Sequence, residues 1–185
     1  MNKLILNIIL SMTLCVCGHR IAWSQNTQII AADQEPYNPE SLIRNYFIGE
    51  GVQILDIKFE GSPKATGYFQ NGLQDIGIEQ GIVLGTGNIE KIDNPNTSES
   101  STLTSNTDVI NTELNNIIGI DTLKDVITYE ITFIPSADTI QFNYVFASEE
   151  YPEYVCSNFN DVFGFFISGP NPNGGDYASK NIAIV

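Results

Sequence analysis

Between Ser148 and Asp161 the chain carries Glu149, Glu150, Glu153 and Asp161, together with the amides Asn158 and Asn160. Four carboxylates in so short a turn repel one another unless solvent, protons or a cation offset their charge. No Lys, Arg or His occurs between Asp125 and Ser179, whereas eight acids do. Oxygen donors of this kind suit hard cations, and calcium takes about six to eight of them. Glu149, Glu150, Glu153, Asn160 and Asp161 are therefore candidate calcium ligands. The alternative is a solvated acidic loop in which Asn160 and Asp161 cap a turn. A carboxylate pair can also hydrolyse glycosides. Adjacent Glu149 and Glu150 would point to opposite faces of a continuing strand, which weakens them as such a pair. Tyr151 and Tyr154 flank the turn as candidate ligand-facing aromatics, or as packing supports for it.

Other chemistries are excluded by subtraction. Residues 1–24 read as a secretory signal peptide: Lys3, an apolar run from Leu4 to Cys17, then Ala22-Trp23-Ser24 before cleavage at Gln25. Cys15, Cys17, the single His19 and the single Trp23 leave with it. The remaining chain keeps six basic residues (Arg44, Lys58, Lys64, Lys91, Lys124, Lys180) against 22 acids, a formal charge of −16. Without His there is no Ser-His-Asp triad, no Cys-His pair and no His-ligated zinc. No phosphate loop and no GxGxxG occurs. The acidity excludes nucleic acid and anionic membranes as partners, since both require a basic patch. Cys156 is expected either as a buried free thiol or paired with a cysteine beyond Val185.

The elements that must position these residues read as mainly β. Gln25 to Tyr37 has no sustained period and is expected to be a mobile leader. Asn38-Pro39 is a cap followed by Pro, and Leu42, Ile43, Tyr46 and Phe47 predict a helix over Pro39–Phe47 that Gly49 stops. From Val52 the period changes to two: Leu55, Ile57 and Phe59 face one way, Asp56, Lys58 and Glu60 the other. Ala65–Gln70 predicts a short strand, and Gly81–Leu84 a buried one. Asp93–Thr107, with eleven Ser, Thr or Asn among its 15 residues, is a polar loop. Val109–Ile118 predicts a helix closed by Gly119. Asp125–Phe133 and Ile140–Phe146 alternate strongly and predict a hairpin across Pro135–Asp138. Val162–Ile167 is apolar throughout, so both of its faces are expected to be covered, with Phe163, Phe165 and Phe166 in the core. Asn181–Val185 starts a strand whose continuation is expected past Val185. Short strands, Gly/Pro turns and one or two short helices predict an antiparallel β-sandwich, jelly-roll-like, over residues 38–185, incomplete at its C-terminus.

The stretch YVFASEEYPEYVCSNFNDVFGFFISGP (Tyr144–Pro170), with GVQILDIKFEG (Gly51–Gly61), Gly67-Tyr68-Phe69 and GIVLGTG (Gly81–Gly87), resembles the choice-of-anchor L domain family. Asn181-Ile182-Ala183 is similar to that family's NIA strand. The loop after Gly87 departs from the pattern, reading DNPNTSESS and then TDVINTEL where relatives carry GPN and GD-x-DL stretches. The resemblance implies an extracellular domain of bacterial surface and secreted proteins, often of Bacteroidota, with no established catalytic activity. It also implies the secretion machinery as a partner, through the signal peptide and a C-terminal anchor or sorting signal.

The sequence-level expectation is a non-catalytic extracellular or cell-surface module for attachment or interaction, calcium-stabilised, meeting a protein or glycan surface. The alternative is a carbohydrate-binding accessory domain, or part of a carbohydrate-active hydrolase. The two differ in whether carboxylates converge in a cleft at about 5–10 Å.

Overall fold

The computed structural model describes residues 26–92, 108–119, 122–148, 154, 156 and 161–183. The expected signal peptide, residues 1–24, and the expected polar loop Asp93–Thr107 lie outside these residues. The described chain is mainly β, with antiparallel strands and two short helices.

Helix α1 spans Pro39–Leu42 and continues as a wider π turn over Ile43–Phe47, the range the periodicity predicts. Asn38 Oδ1 accepts from Ser41 N at 2.9 Å, which satisfies one of the free donors of the first turn. Leu42 and Ile43 are completely buried. They pack toward a three-stranded sheet ordered β1 (Gln28–Ala31), β3 (Thr66–Gln70), β4 (Gln80–Leu84). Strand β1 corrects the expectation of a leader without structure. It pairs antiparallel with β3, from Gln28 opposite Gln70 to Ala31 opposite Gly67, and buries Ala31 and Ala32. The four-residue strand is too short to show a period by itself; its partner, some 40 positions downstream, supplies the order. Gly67 permits this closeness, because a Cβ there would sit 2.2 Å from Ile30 O and 2.7 Å from Ile89 Cδ1. Strand β4 is only half-buried, with Gln80 and Leu84 exposed, because it forms one edge of the sheet rather than an interior strand.

The second sheet pairs β2 (Val52–Glu60) with β7 (Thr128–Pro135), antiparallel along its whole length. A register shift between Ile54 and Asp56 reverses the alternation. Val52, Ile54, Ile57 and Phe59 therefore share the half-buried side, and Leu55, expected inward, is 54% exposed. Phe59 and Tyr129 face each other across the ladder with ring centroids 4.9 Å apart. Tyr129 OH lies 3.3 Å from the buried Thr66 Oγ1 of β3, so the inner faces of the two sheets meet as layers of a sandwich do.

Strands β5 (Asp108–Val109) and β6 (Leu123–Lys124) form a minimal ladder around α2 (Thr112–Ile118). Asn111 caps α2, accepting from Leu114 N at 2.9 Å, and Gly119 closes it at φ 72°. Val109, expected in the helix, belongs to β5. Strands β8 (Phe166–Pro170) and β9 (Asp176–Asn181) make a hairpin. Asn181 thus ends a strand where one was expected to begin.

The predicted hairpin across Pro135–Asp138 is also corrected. Strand β7 finds its partner in β2, and Ile140–Phe146 is not a strand. That segment is held by its rings: Phe142 stacks on Phe165 (4.1 Å, 21°) and Tyr144 tilts against Phe163 (5.5 Å, 39°). Each residue of Val162–Ile167 is half-buried, so its faces are shared between ring packing and solvent. Cys156 is exposed, which removes the buried-thiol reading.

Candidate functional site

Asp161 is the one candidate cation ligand among the described residues; Glu149, Glu150, Glu153 and Asn160 lie outside them. Its Oδ1 accepts from Thr86 Oγ1 at 3.1 Å, across 75 positions of sequence. Both ends of this contact are held by their own segments. On the Thr86 side, Gly85 N donates to Ala65 O at 2.8 Å, so the loop after β4 is tied back to the start of β3. A Cβ at Gly85 would meet Ile89 Cγ2 at 2.9 Å, and Ile89 is completely buried. Asn88 then caps the single turn Ile89–Lys91, accepting from Glu90 N at 2.9 Å. Thr86 therefore projects from a locked loop.

On the Asp161 side, the stretch that follows is held by the ring pairs Tyr144–Phe163 and Phe142–Phe165. Phe165 N donates to Asn181 Oδ1 at 3.1 Å, and Ile182 N donates to Phe165 O at 2.8 Å, fastening the stretch to β9. Gly164 is required here, since a Cβ would lie 2.5 Å from the Phe166 ring and 3.2 Å from Leu114 Cδ2. The GIVLGTG and FNDVFGFF segments thus meet at the Thr86–Asp161 hydrogen bond. Nothing in the local pattern around either residue points to the other.

Tyr154 is half-buried, and Tyr151 lies outside the described residues. Among the described residues no group of three or more His, Cys, Asp or Glu is placed to hold a metal. This leaves the calcium expectation where the sequence put it, because most of its candidate ligands are not described. Two ring clusters escaped sequence reasoning. Tyr37, Tyr46 and Tyr68 cluster around the α1 core with centroids 4.3–5.7 Å apart, Tyr37 stacked on Tyr68 and Tyr46 tilted against both, and Tyr68 OH donates to Gln80 Oε1 at 2.9 Å. Burial raises the phenols of Tyr46 and Tyr68 above the ordinary tyrosine value. Burial pushes Tyr129 up to about 12, partly offset by its Thr66 hydrogen bond.

The second cluster reorders the faces of the 140–146 segment. Phe142 and Tyr144 turn inward, whereas Ile140, Val145 and Phe146 are exposed. Alternation alone would place Ile140 and Phe146 on the same inward side as Phe142 and Tyr144.

A family model described as Choice-of-anchor L domain matches residues 30–185, nearly the whole chain. The match begins inside β1, in agreement with that strand being part of the fold. It marks a cell-surface-associated, extracellular module. No curated protein and no solved structure gave a significant match. Among the described residues no helix is long and apolar enough to cross a membrane.

Proposed function

We propose that this chain, which belongs to the choice-of-anchor L domain family, is a non-catalytic module for attachment or interaction at the outer cell surface. The observation that carries this reading is the Thr86–Asp161 bond. Two segments characteristic of the resemblance converge there on packing and hydrogen bonding, with the carboxylate engaged by a hydroxyl. The sequence supports the same view, since the chain after the signal peptide has no His and a single Cys. Its charge of −16 keeps such a module soluble and repels copies of itself. Calcium belongs to the proposal through the base-free acidic turn, whose carboxylates it would neutralise.

The test is labelling of intact producing cells with a membrane-impermeant amine reagent, followed by comparison of binding to host or abiotic surfaces with and without the gene. Lys58 and Lys64 are exposed and available to the reagent. Labelling on intact cells together with reduced attachment of the deletion strain is the expected result. Hydrolysis of a polysaccharide by the purified protein, lost on Asp161→Asn, would replace this reading with the hydrolase alternative.

A further inference from the structure

Asparagine followed by glycine occurs twice in the chain, at Asn71-Gly72 and at Asn173-Gly174. Such a pair is chemically reactive, because no Cβ shields the glycine nitrogen from the asparagine side chain. The fold treats the two pairs oppositely. Gly72 is buried, and its N donates to Glu79 O at 3.0 Å. A Cβ there would lie 2.5 Å from Ile78 O and 3.0 Å from Ile76 Cγ1 and Phe69 Cε2. Asn71 is half-buried beside it. Asn173 and Gly174 are instead both exposed, in the turn that joins β8 to β9, and a Cβ at Gly174 would meet nothing within 4 Å. Asn173 N donates to Asn171 Oδ1 at 2.9 Å, while the Asn173 carboxamide has no hydrogen-bond partner among the described residues. Gly174 N donates to Asn171 O at 2.9 Å, and a single bond across an exposed turn opens at little cost.

We propose that Asn173 is a site of spontaneous deamidation in the folded protein, whereas the fold protects Asn71. Loss of the amide proton from Gly174 N leaves a nucleophile that attacks Asn173 Cγ. The new N–Cγ bond closes a five-membered succinimide, and the side-chain nitrogen leaves as ammonia, carrying the proton. Water then opens either imide bond, giving isoaspartate or aspartate. One water is consumed and one ammonia released in all, with no oxidant and no cofactor. The bond to Asn171 must open before the amide proton is lost. Asn173 therefore reacts at the opening cost of an exposed turn, and Asn71 at that of the packed segment around Phe69. The product adds a carboxylate to an already acidic protein. As isoaspartate it also lengthens, by one methylene, the tight connection between Pro170 and Asp176, where the β8–β9 ladder starts. None of this depends on what the module binds.

The experiment holds the purified full-length exported protein at mildly alkaline pH in water labelled with heavy oxygen, folded and in denaturant, and follows both pairs by peptide mapping with mass spectrometry. In denaturant, where local sequence alone acts, Asn71 and Asn173 should convert within about threefold of each other. In the folded protein Asn173 should convert at least about tenfold faster than Asn71. The product at Asn173 should carry one heavy oxygen and include isoaspartate, which requires attack by Gly174 N. Asn173→Gln, whose longer side chain would have to close a six-membered ring, should suppress conversion there and leave Asn71 as slow as before. Equal rates at the two pairs in the folded protein overturn the inference. So does a folded Asn173 that stays intact while the denatured chain converts, or a product that is aspartate alone.

Discussion

Residues 26–92 and residues 108–183 spend their apolar side chains differently. Among the described residues, every buried hydrophobic except Leu123 lies between Ala31 and Ile89. Both regions expose large apolar side chains, Leu55, Leu73, Ile76, Leu84 and Ile92 in the first and Ile110, Ile117, Ile134, Ile140, Val145 and Phe146 in the second, but only the first sets them around a buried core. The β2–β7 ladder joins the two, and the Thr86–Asp161 bond fastens the far end. The contrast teaches that one region supplies the packed core while the other, braced by half-buried rings, presents surface.

The comparison breaks first under core substitution. Leu42→Ala, at a completely buried position, should lower stability by about 3 kcal/mol, the usual cost of a large-to-small core change with its cavity. Ile134→Ala, at an exposed position of β7, should cost under about 0.5 kcal/mol. Chemical denaturation of the two variants checks the pair, and equal losses would erase the distinction. Gly67→Ala comes next. Its methyl would meet the β1 backbone, so about 2 kcal/mol should be lost by the overpacking route. The first amides released in hydrogen exchange should be those of β1. Asn38→Ala should remove the α1 cap at about 1 kcal/mol, read from the same denaturation curves.

Alkaline pH sharpens the boundary between the sheets. A phenol raised by burial favours the neutral form in the folded state, so its stabilisation is complete below the ordinary value near 10 and is lost as pH rises through the folded value. For Tyr129 that window runs from about 10 to about 12. The melting temperature should therefore fall across it, and Tyr129→Phe should make the fall shallower. Tyr46 and Tyr68, raised by burial, and Lys58, raised by its hydrogen bond to Glu130, add to the slope in the same sense.

How much of this was legible in sequence follows from where each signal resides. The α1 cap, the β2 and β3 strands, the α2 stop at Gly119 and the mainly β class all come from local pattern. Leu55 was misplaced because a bulge is a property of a strand pair, which alternation within one strand does not show. Strand β1 was missed for the same reason: four residues become a strand only when β3 pairs with them. The 140–146 segment has the alternation of a strand but is held by rings, and β7 had a longer partner available in β2. At the candidate site, Asp161 stood out by composition, whereas Thr86 was invisible because 75 residues separate the two. The family-like segments were legible as strings; their meeting point was not.

Protease shaving of intact producing cells, with released peptides identified by mass spectrometry over time, tests the account most directly. A cell-surface module with a packed first region and a displayed second one should release peptides from residues 108–183 before those from residues 26–92, without cell lysis. Release only after lysis would contradict the surface assignment. Earlier release from residues 26–92 would contradict the division of labour between the two regions.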